Sequence, residues 1–335
     1  MRNANGKLLN QLRVKSGLTQ AQLSRKSGLS QALISGMEVG ARELTDDSAE
    51  AITDALGVPR DYFATAIVTG YRGGDVPATY LQEPSRMQAD SLAVEFGEIE
   101  HAVAVSEGAP NPLSLFQFTF TNQGGKNESL KKVDQAGRLI RDLAGAPRKG
   151  PISDVIKTAE GVGIVVANTD RESNPPAVLS SPARHLPAVI MENHVPTGDE
   201  QRFAIAREMM RLCLTDTAEN AISNKTLDKV TCAFLVPGHD MRRHVTEDSP
   251  LDYYSMIKAS TGVPIHRLID WARDCKAISP SRRKQLLTHF NSRGWNLQEP
   301  VEVPRESPSL IHDVVTKEED TTVISVDFKS RTRKR

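Results

Sequence analysis

Residues 17–63 read GLTQAQLSRKSGLSQALISGMEVGARELTDDSAEAITDALGVPRDYF, and this stretch decides the fold of the N-terminal region. Thr19 and Ser30 each precede a short amphipathic segment, and hydroxyl residues of this kind commonly cap helix N-termini. The two capped segments, Gln20–Ser27 and Gln31–Val39, are separated by a tight turn that contains a glycine. Two short helices joined in this way predict a helix-turn-helix.

Three further elements are predicted around this pair. Apolar residues between positions 8 and 14 repeat at helical spacing, and Gly17 ends that first helix. Thr45 caps a fourth segment, Asp46–Leu56, whose apolar residues also repeat at helical spacing. Residues 61–63 form a closing turn that packs on the others. The N-terminal region is therefore predicted to be a small all-α domain over residues 1–64.

Across residues 17–63 the chain resembles the XRE family, which includes Cro and lambda repressor. Residues typical of that family stand in matching places: Thr19, Gln20, Leu23, Gly28, Ser30, Ile34, Glu38 and Gly40. The resemblance implies a sequence-specific regulator of transcription whose partner is a double-stranded DNA operator.

The resemblance also implies which residues face the bases. The second helix of the pair enters the major groove, where Gln31, Ala32 and Ser35 reach base edges and Ser30 lies at the helix start. Gln31 can pair with an adenine through two hydrogen bonds, and Ala32 can offer a methyl contact to thymine.

Other polar residues are expected at the DNA backbone. Gln20 is predicted to touch a phosphate and to brace Gln31, while the basic candidates for phosphate contact are Lys15, Arg25, Lys26 and Arg42. Although the formal net charge of the chain is zero, its first 42 residues hold seven basic side chains and a single acid. A basic surface on a small domain is typical of phosphate binding, but each cation is also compatible with an ordinary solvated surface.

Bulk composition is that of a folded globular protein. The 335 residues are 39% hydrophobic and 25% charged. No apolar run approaches the ~20 residues needed to cross a bilayer, and the first residues carry no apolar leader segment. Three distant cysteines indicate neither a disulfide framework nor a CxxC zinc site. We therefore expect a cytoplasmic protein that is not bound to membranes.

The rest of the chain is predicted as three segments. Residues 65–128 form a connector with some strand around the alternating Leu115–Thr121, and Met87–Val105 is a helix. Residues 129–310 form one α+β domain, and residues 311–335 form a basic tail. The predicted fold class is mainly α with a small α+β part.

Helices and strands of the third segment follow from periodicity and apolar runs. Helices are expected at Leu130–Ala144 and Ile152–Glu160, then over TGDEQRFAIAREMMRLCL with Thr197 or Asp199 as its cap, and at Leu227–Leu235, Met256–Thr261, Ile265–Lys276 and Ser281–Gly294. Strands are expected at Val162–Ala167 and Ala188–Met191.

This order, with the segments GVGIVVAN, PAVIMEN, DEQRFAIAREMMRLCL and AFLVP, resembles the ImmA/IrrE group of metallopeptidase-like domains. The resemblance implies a zincin-like α+β fold. The active helix of that group carries HExxH, in which two histidines bind zinc and the glutamate activates water. Here the same place reads Arg207-Glu208-Met209-Met210-Arg211, and Asp228 is the nearest acid to the position of the further ligand.

Arginine has no lone pair for a metal and is always cationic, so this site is predicted to be a degenerate peptidase site. We expect no catalytic residue, no metal and no cofactor. Glu208 and Asp228 are expected to form ion pairs with Arg207 and Arg211. These arginines then serve either packing or a pocket for an anionic ligand, a peptide or a DNA phosphate.

The leading hypothesis is a DNA-binding repressor, one that controls a phage or mobile element, whose second domain serves dimerisation, binding of a small-molecule or peptide effector, or extra DNA contact. The main alternative is a zinc metallopeptidase that cleaves a repressor. A third alternative is an antitoxin-like partner protein.

Overall fold

The computed structural model describes residues 2–106, 118–119, 130–182, 187–215, 222–316 and 324–328. The chain divides into two compact units. Unit 1 comprises Met1–Asn111, Ala167–His194 and Leu310–Arg335, and unit 2 comprises Pro112–Val166 and Val195–Ser309. These units group the chain differently from the predicted boundaries at residues 64, 128 and 310. Those domain boundaries stay predictions.

The described residues form helices numbered in chain order. The helices are α1 Arg2–Lys15, α2 Gln20–Ser27, α3 Gln31–Glu38, α4 Asp46–Leu56, α5 Tyr62–Thr65, α6 Arg86–Val105, α7 Leu130–Leu143, α8 Val155–Gly161, α9 Gly198–Cys213, α10 Asn224–Leu235, α11 Gly238–His244, α12 Leu251–Thr261, α13 Ile265–Asp274 and α14 Pro280–Ser292.

The strands are short by comparison, which confirms a mostly helical protein with a small sheet. They are β1 Ala78–Tyr80, β2 Phe118–Thr119, β3 Val165–Thr169, β4 Ala177–Ser180, β5 Val189–Asn193, β6 Leu214–Thr215, β7 Ile311–Thr316 and β8 Ile324–Phe328.

Helices α1 to α5 enclose the first core of unit 1. The side chains that fill this core are almost completely buried: Leu8, Leu9, Leu12, Leu23, Ile34, Met37, Ile52 and Tyr62. The predicted bounds of α2 and α4 are confirmed, and α3 ends one residue before the predicted Val39. Local capping and periodicity were sufficient here because each helix carries its own start signal.

Helix α6 confirms the helix predicted at Met87–Val105, which lies in the segment predicted as a connector. It begins at a capping box formed by Ser85 and Gln88, and it packs against α1. Gln11 on α1 donates a hydrogen bond to the Glu98 carboxylate at 3.3 Å. Of the strand predicted at 115–121, residues 118–119 are a strand, and the other residues lie outside the described part of the chain.

The four-stranded sheet has the order β1-β4-β5-β3. β1 pairs with β4, and β4 with β5, both antiparallel, with Leu179 opposite Ala78 on one side and Met191 on the other. β1 and β4 were not predicted, because runs of three or four residues show too little alternation to predict a strand. The starts of the other two strands were predicted early, by three residues for β3 and by one residue for β5.

β7 and β8 form a separate antiparallel pair inside the segment predicted as a basic tail. Residues 329–335, which carry the basic end of that tail, lie outside the described part of the chain.

Unit 2 is built around the contact between α7 and α10. A Cβ placed on Gly137 of α7 would lie 2.9 Å from the backbone carbon of Ala233, so the two helices approach as closely as a glycine permits. Helix α8 begins three residues after the predicted Ile152, because the Asp154 carboxylate accepts a hydrogen bond from the Lys157 amide and caps the helix there.

Arg141 is a buried cation on the same face of α7, with none of its surface exposed. Its guanidinium donates to the carbonyl oxygens of Phe234 (2.5 Å), Leu235 (2.9 Å), Pro147 (2.5 Å) and Gly150 (2.9 Å). Burial lowers the pKa of Arg141 to about 10, which leaves the group charged near neutral pH. Arg141 therefore ties the end of α10 and the loop after α7 to one point.

Replacing Arg141 with Met is expected to destabilise unit 2 by about 3–5 kcal/mol, because four carbonyls, two of them in buried hydrogen bonds, lose their donor. Thermal unfolding followed by tryptophan fluorescence measures this directly, since Trp271 and Trp295 both lie in unit 2. Arg138→Met on the exposed face of the same helix is the matched control, with an expected change within about 0.5 kcal/mol. Equal melting temperatures for the two variants would contradict the role of Arg141.

Candidate DNA-binding surface and arginine cluster

The start of α2 is fixed by a reciprocal cap. The Thr19 hydroxyl accepts a hydrogen bond from the Gln22 amide at 3.2 Å, and the Gln22 side chain accepts one from the Thr19 amide at 2.7 Å. The helix ends at Gly28, whose φ of 74° lies in the left-handed region where glycine is favoured.

The turn after Gly28 is held on both sides. The Ser24 hydroxyl donates to the Leu29 carbonyl at 2.7 Å, and the Ser30 hydroxyl caps α3 by accepting from the Leu33 amide at 3.2 Å. α3 then buries Ile34 and Met37 in the core. These contacts fix the direction in which α3 leaves the turn.

The outer face of α3 presents the residues predicted to read bases. Gln31 and Ala32 are exposed at the first two positions of the helix, and Ser35 is half-buried one turn later. Ser30 contributes to the cap through its side chain and is itself exposed. Their contact with bases remains a prediction.

Glu38 at the end of α3 joins three helices. Its carboxylate accepts hydrogen bonds from Arg13 Nε (2.5 Å), Arg13 Nη2 (3.0 Å), Asn10 Nδ2 (3.0 Å) and Gln20 Nε2 (2.9 Å). Burial alone would raise the pKa of Glu38, but the donors, with Arg13 the strongest, outweigh burial and the pKa is lowered. Glu38 therefore ties α1 and α2 to the C-terminal end of α3.

Three of the four basic phosphate candidates are accessible. Arg25 and Lys26 are exposed in the last turn of α2, and Arg42 is exposed just after α3. The aliphatic part of Arg42 lies close to α3, since a Cβ placed on Gly36 would be 3.0 Å from Arg42 Cγ.

Lys15 and Gln20 were also predicted to contact the DNA backbone, and both have partners within the protein. Lys15 lies 2.5 Å from the Glu98 carboxylate, and only 10% of its side chain is exposed. Helix α6 thus supplies Lys15 with an acid that the local sequence does not reveal, and the phosphate contact of Lys15 stays a prediction. The Gln20 side-chain amide donates to Glu38, so the bracing predicted toward Gln31 is directed to Glu38 instead.

Comparison with known families addresses this same region. Residues 9–63 match the helix-turn-helix family model. The N-terminal region is thus an XRE-type helix-turn-helix, which supports a DNA-binding regulator. A search of curated proteins and a search of solved structures each found no match to the chain. The zincin-like fold and the likeness of residues 129–310 to ImmA/IrrE domains remain predictions.

The second candidate site is the arginine cluster, defined as Arg207, Glu208 and Arg211 on α9 with Asp228 on α10. Arg207 Nε donates to Asp228 Oδ1 at 2.6 Å, and Arg211 Nε donates to Glu208 Oε2 at 2.9 Å. Glu208 is completely buried, and its other oxygen accepts from Arg207 Nη1 at 3.5 Å. The predicted ion pairs are present.

Two residues outside the predicted site complete the cluster. Asn224 accepts a hydrogen bond from Arg207 Nη2 at 2.9 Å, and Arg267 Nη1 donates to Asp228 Oδ2 at 3.1 Å. Arg267 also stacks over the Phe203 ring, 4.6 Å from its centroid. Only the approach of α13 brings Arg267 here, so no local motif could have identified it.

Among the described residues, no group of three or more His, Cys, Asp or Glu side chains is placed to hold a metal ion. Within the same residues, no helix is long and apolar enough to cross a bilayer.

Glu38→Gln is expected to destabilise the helix-turn-helix by about 2–3 kcal/mol at neutral pH, because Arg13 loses its charged partner. Since the folded-state pKa of Glu38 is lowered, its stabilising contribution is present above the unfolded pKa and is lost as pH falls through the folded pKa. Hydrogen-exchange protection of α1 to α3 in the full chain, measured at several pH values, tests both effects.

Glu50→Gln is the matched control, because the Glu50–Arg60 pair is mostly exposed and should contribute little. Protection in Glu38→Gln that equals the wild type at neutral pH would show that Glu38 does not hold the three helices together.

Proposed function

We propose that this chain is a sequence-specific transcriptional repressor that reads its operator through the N-terminal end of α3. The observation that carries the proposal is the exposure of Gln31 and Ala32 on a helix whose other face is locked in the core and whose far end is anchored by Glu38. A fixed helix with exposed side chains at its start matches the demands of base reading in the major groove.

Repression follows from occupancy of DNA rather than from cleavage of a protein. The repressor binds as a homodimer to paired half-sites about one helical turn apart. Arg25, Lys26 and Arg42 contact phosphates and set the position of the domain on the duplex, whereas Lys15 takes no part because Glu98 neutralises it.

Gln31→Ala is expected to reduce discrimination at one base pair by about 10- to 100-fold, which corresponds to the ~1–3 kcal/mol of a paired base contact. Operators selected from a random DNA pool provide the ligand, and fluorescence anisotropy gives the affinities for the operator and for each single-base variant. Gln298→Ala, an exposed glutamine outside the helix-turn-helix, is the control. Unchanged preference in Gln31→Ala would remove α3 as the reading helix.

The same titrations at several salt concentrations test the phosphate contacts. A plot of log K against log salt falls with a negative slope. Arg25→Gln should make that slope shallower by about 0.9, the value expected per neutralised phosphate, and Lys15→Met should leave it unchanged. Transcription in vitro from a promoter that overlaps the operator then separates repression from activation, since added repressor must lower the transcript level.

We further propose that the arginine cluster is catalytically inactive. The support comes from the two positions where the ImmA/IrrE group carries its zinc-binding histidines. Both hold arginines here, and their guanidinium groups donate hydrogen bonds to the Glu208 and Asp228 carboxylates. A carboxylate whose oxygens already accept hydrogen bonds from guanidinium groups is poorly placed to activate a water or to bind a metal cation.

Protein purified from zinc-supplemented cells is therefore expected to contain far less than one zinc per chain, as measured by elemental analysis, and to cleave no protein substrate. Glu208→Gln should lower stability, because it removes a buried anion from between two arginines, and should leave operator affinity unchanged. Stoichiometric zinc together with proteolysis that Glu208→Gln abolishes would establish the peptidase instead.

A further inference from the structure

A groove of about 1060 Å³ runs along the outer face of α7 and reaches the end of α13, all within unit 2. Its walls combine apolar surface, including Leu139, with cationic side chains from α7, from α11 and from the turn just after α13. The cations are Lys131, Arg138, Arg242 and Lys276. A cavity of this size accommodates a small-molecule ligand.

The acids in the groove are already engaged. Asp134 lies 3.6 Å from Arg242 and also accepts a hydrogen bond from the Gly238 amide at 3.2 Å. Asp142 accepts from Arg148 Nε at 2.6 Å. The groove therefore carries a surplus of positive charge.

That surplus resides in exposed side chains. Lys131, Arg138 and Lys276 are exposed, and none of them has an ion-pair or hydrogen-bonding partner for its side chain among the described residues. Lys131 and Arg138 are two helical turns apart on one face of α7, which places them about 10 Å apart along the helix axis. A ligand with two separated anionic groups would match this spacing.

Lys276 adds an independent observation. Its φ is 61°, in the left-handed region, where a lysine costs more than a glycine. The Lys276 amide donates to the Arg273 carbonyl at 3.0 Å and the Ala277 amide to the Ala272 carbonyl at 2.9 Å, which is the Schellman pattern at a helix end.

Elsewhere the chain places glycine at left-handed helix ends, as at Gly28, Gly57, Gly262 and Gly294. At the end of α13 it keeps a strained lysine whose side chain lines the groove. Strain of this kind at one residue is a mark of a functional requirement.

We propose that this groove binds a small organic anion with two or more carboxylate or phosphate groups on an apolar body, and that this ligand is the effector of the regulator. The groove residues supply the charges and the apolar wall, with Lys131 and Arg138 at separate anionic groups and Lys276 at the rim. The effector role rests on the proposed function, whereas ligand binding itself does not.

Calorimetric titration of the full chain without DNA tests binding. Sebacate, an apolar chain with a carboxylate at each end, is the carboxylate probe, tripolyphosphate is the phosphate probe, and neutral sebacamide is the control. Saturable binding of either anion in the millimolar range or tighter supports the site and identifies the favoured anionic group. Binding of neither anion, or equal binding of sebacamide, overturns it.

Variants localise the site. Lys131→Gln with Arg138→Gln should weaken binding about 5- to 10-fold, as expected for the loss of two partly exposed charge pairs. Lys284→Gln, an exposed lysine on α14 outside the groove, should not change it.

Lys276→Gly gives the sharpest test, because stability and binding must move in opposite directions. Its melting temperature should rise by a few degrees as backbone strain is relieved, while binding weakens about 2- to 5-fold with the loss of one charge. Wild-type affinity in Lys276→Gly, or a lowered melting temperature, would contradict the role of the strained lysine.

Operator affinity with and without the bound probe, at constant ionic strength, then tests the effector role. A change that the double variant abolishes supports that role, and no change overturns it while the binding site stands. Failure to bind any operator would instead refute the proposed function, and the titrations without DNA would be unaffected.

Discussion

The position of α3 depends on the hydrogen bonds that the Glu38 carboxylate accepts. This carboxylate lies at the far end of α3 from Gln31 and Ala32, and it accepts hydrogen bonds from α1 and α2 through Asn10, Arg13 and Gln20. Hydrophobic burial of Ile34 and Met37 fixes one face of α3 but is not directional. The charged hydrogen bonds add direction, so the short helix has one orientation in the domain.

The same physical principle recurs along α1 and α6. Lys15 at the end of α1 is neutralised by Glu98, and Gln11 one turn earlier donates to the same carboxylate. These buried contacts connect the helix-turn-helix to the following helix within unit 1. The region predicted as a connector therefore packs on the helix-turn-helix. Its Glu98 pairs with Lys15, which leaves one fewer cation on the exposed surface.

Unit 2 contains arginines whose guanidinium groups have two different kinds of partner. Arg141 is satisfied by carbonyl oxygens alone, whereas Arg207 and Arg211 are paired with carboxylates on α9 and α10. Two arginines one turn apart repel each other, and the buried Glu208 between them offsets that repulsion. Lys131 and Arg138 on α7 have no such partners among the described residues, which distinguishes the groove from the arginine cluster.

Local signals in the sequence determined the helix-turn-helix. Hydroxyl caps at Thr19, Ser30 and Thr45, glycine at the helix ends and apolar spacing act over a few residues, so they predicted α2 and α4 to the residue. The positions of Gln31 and Ala32 at the start of α3 follow from the same signals.

Only the tertiary structure decided which charges remain available. Lys15 and Arg25 are alike in sequence, yet α6 buries the first and leaves the second exposed. In the same way, Arg267 reaches Asp228 from another helix, and the short strands β1 and β4 exist because they pair with distant residues. Ion pairs and strand pairing join residues far apart in the chain, and no local pattern encodes those distances.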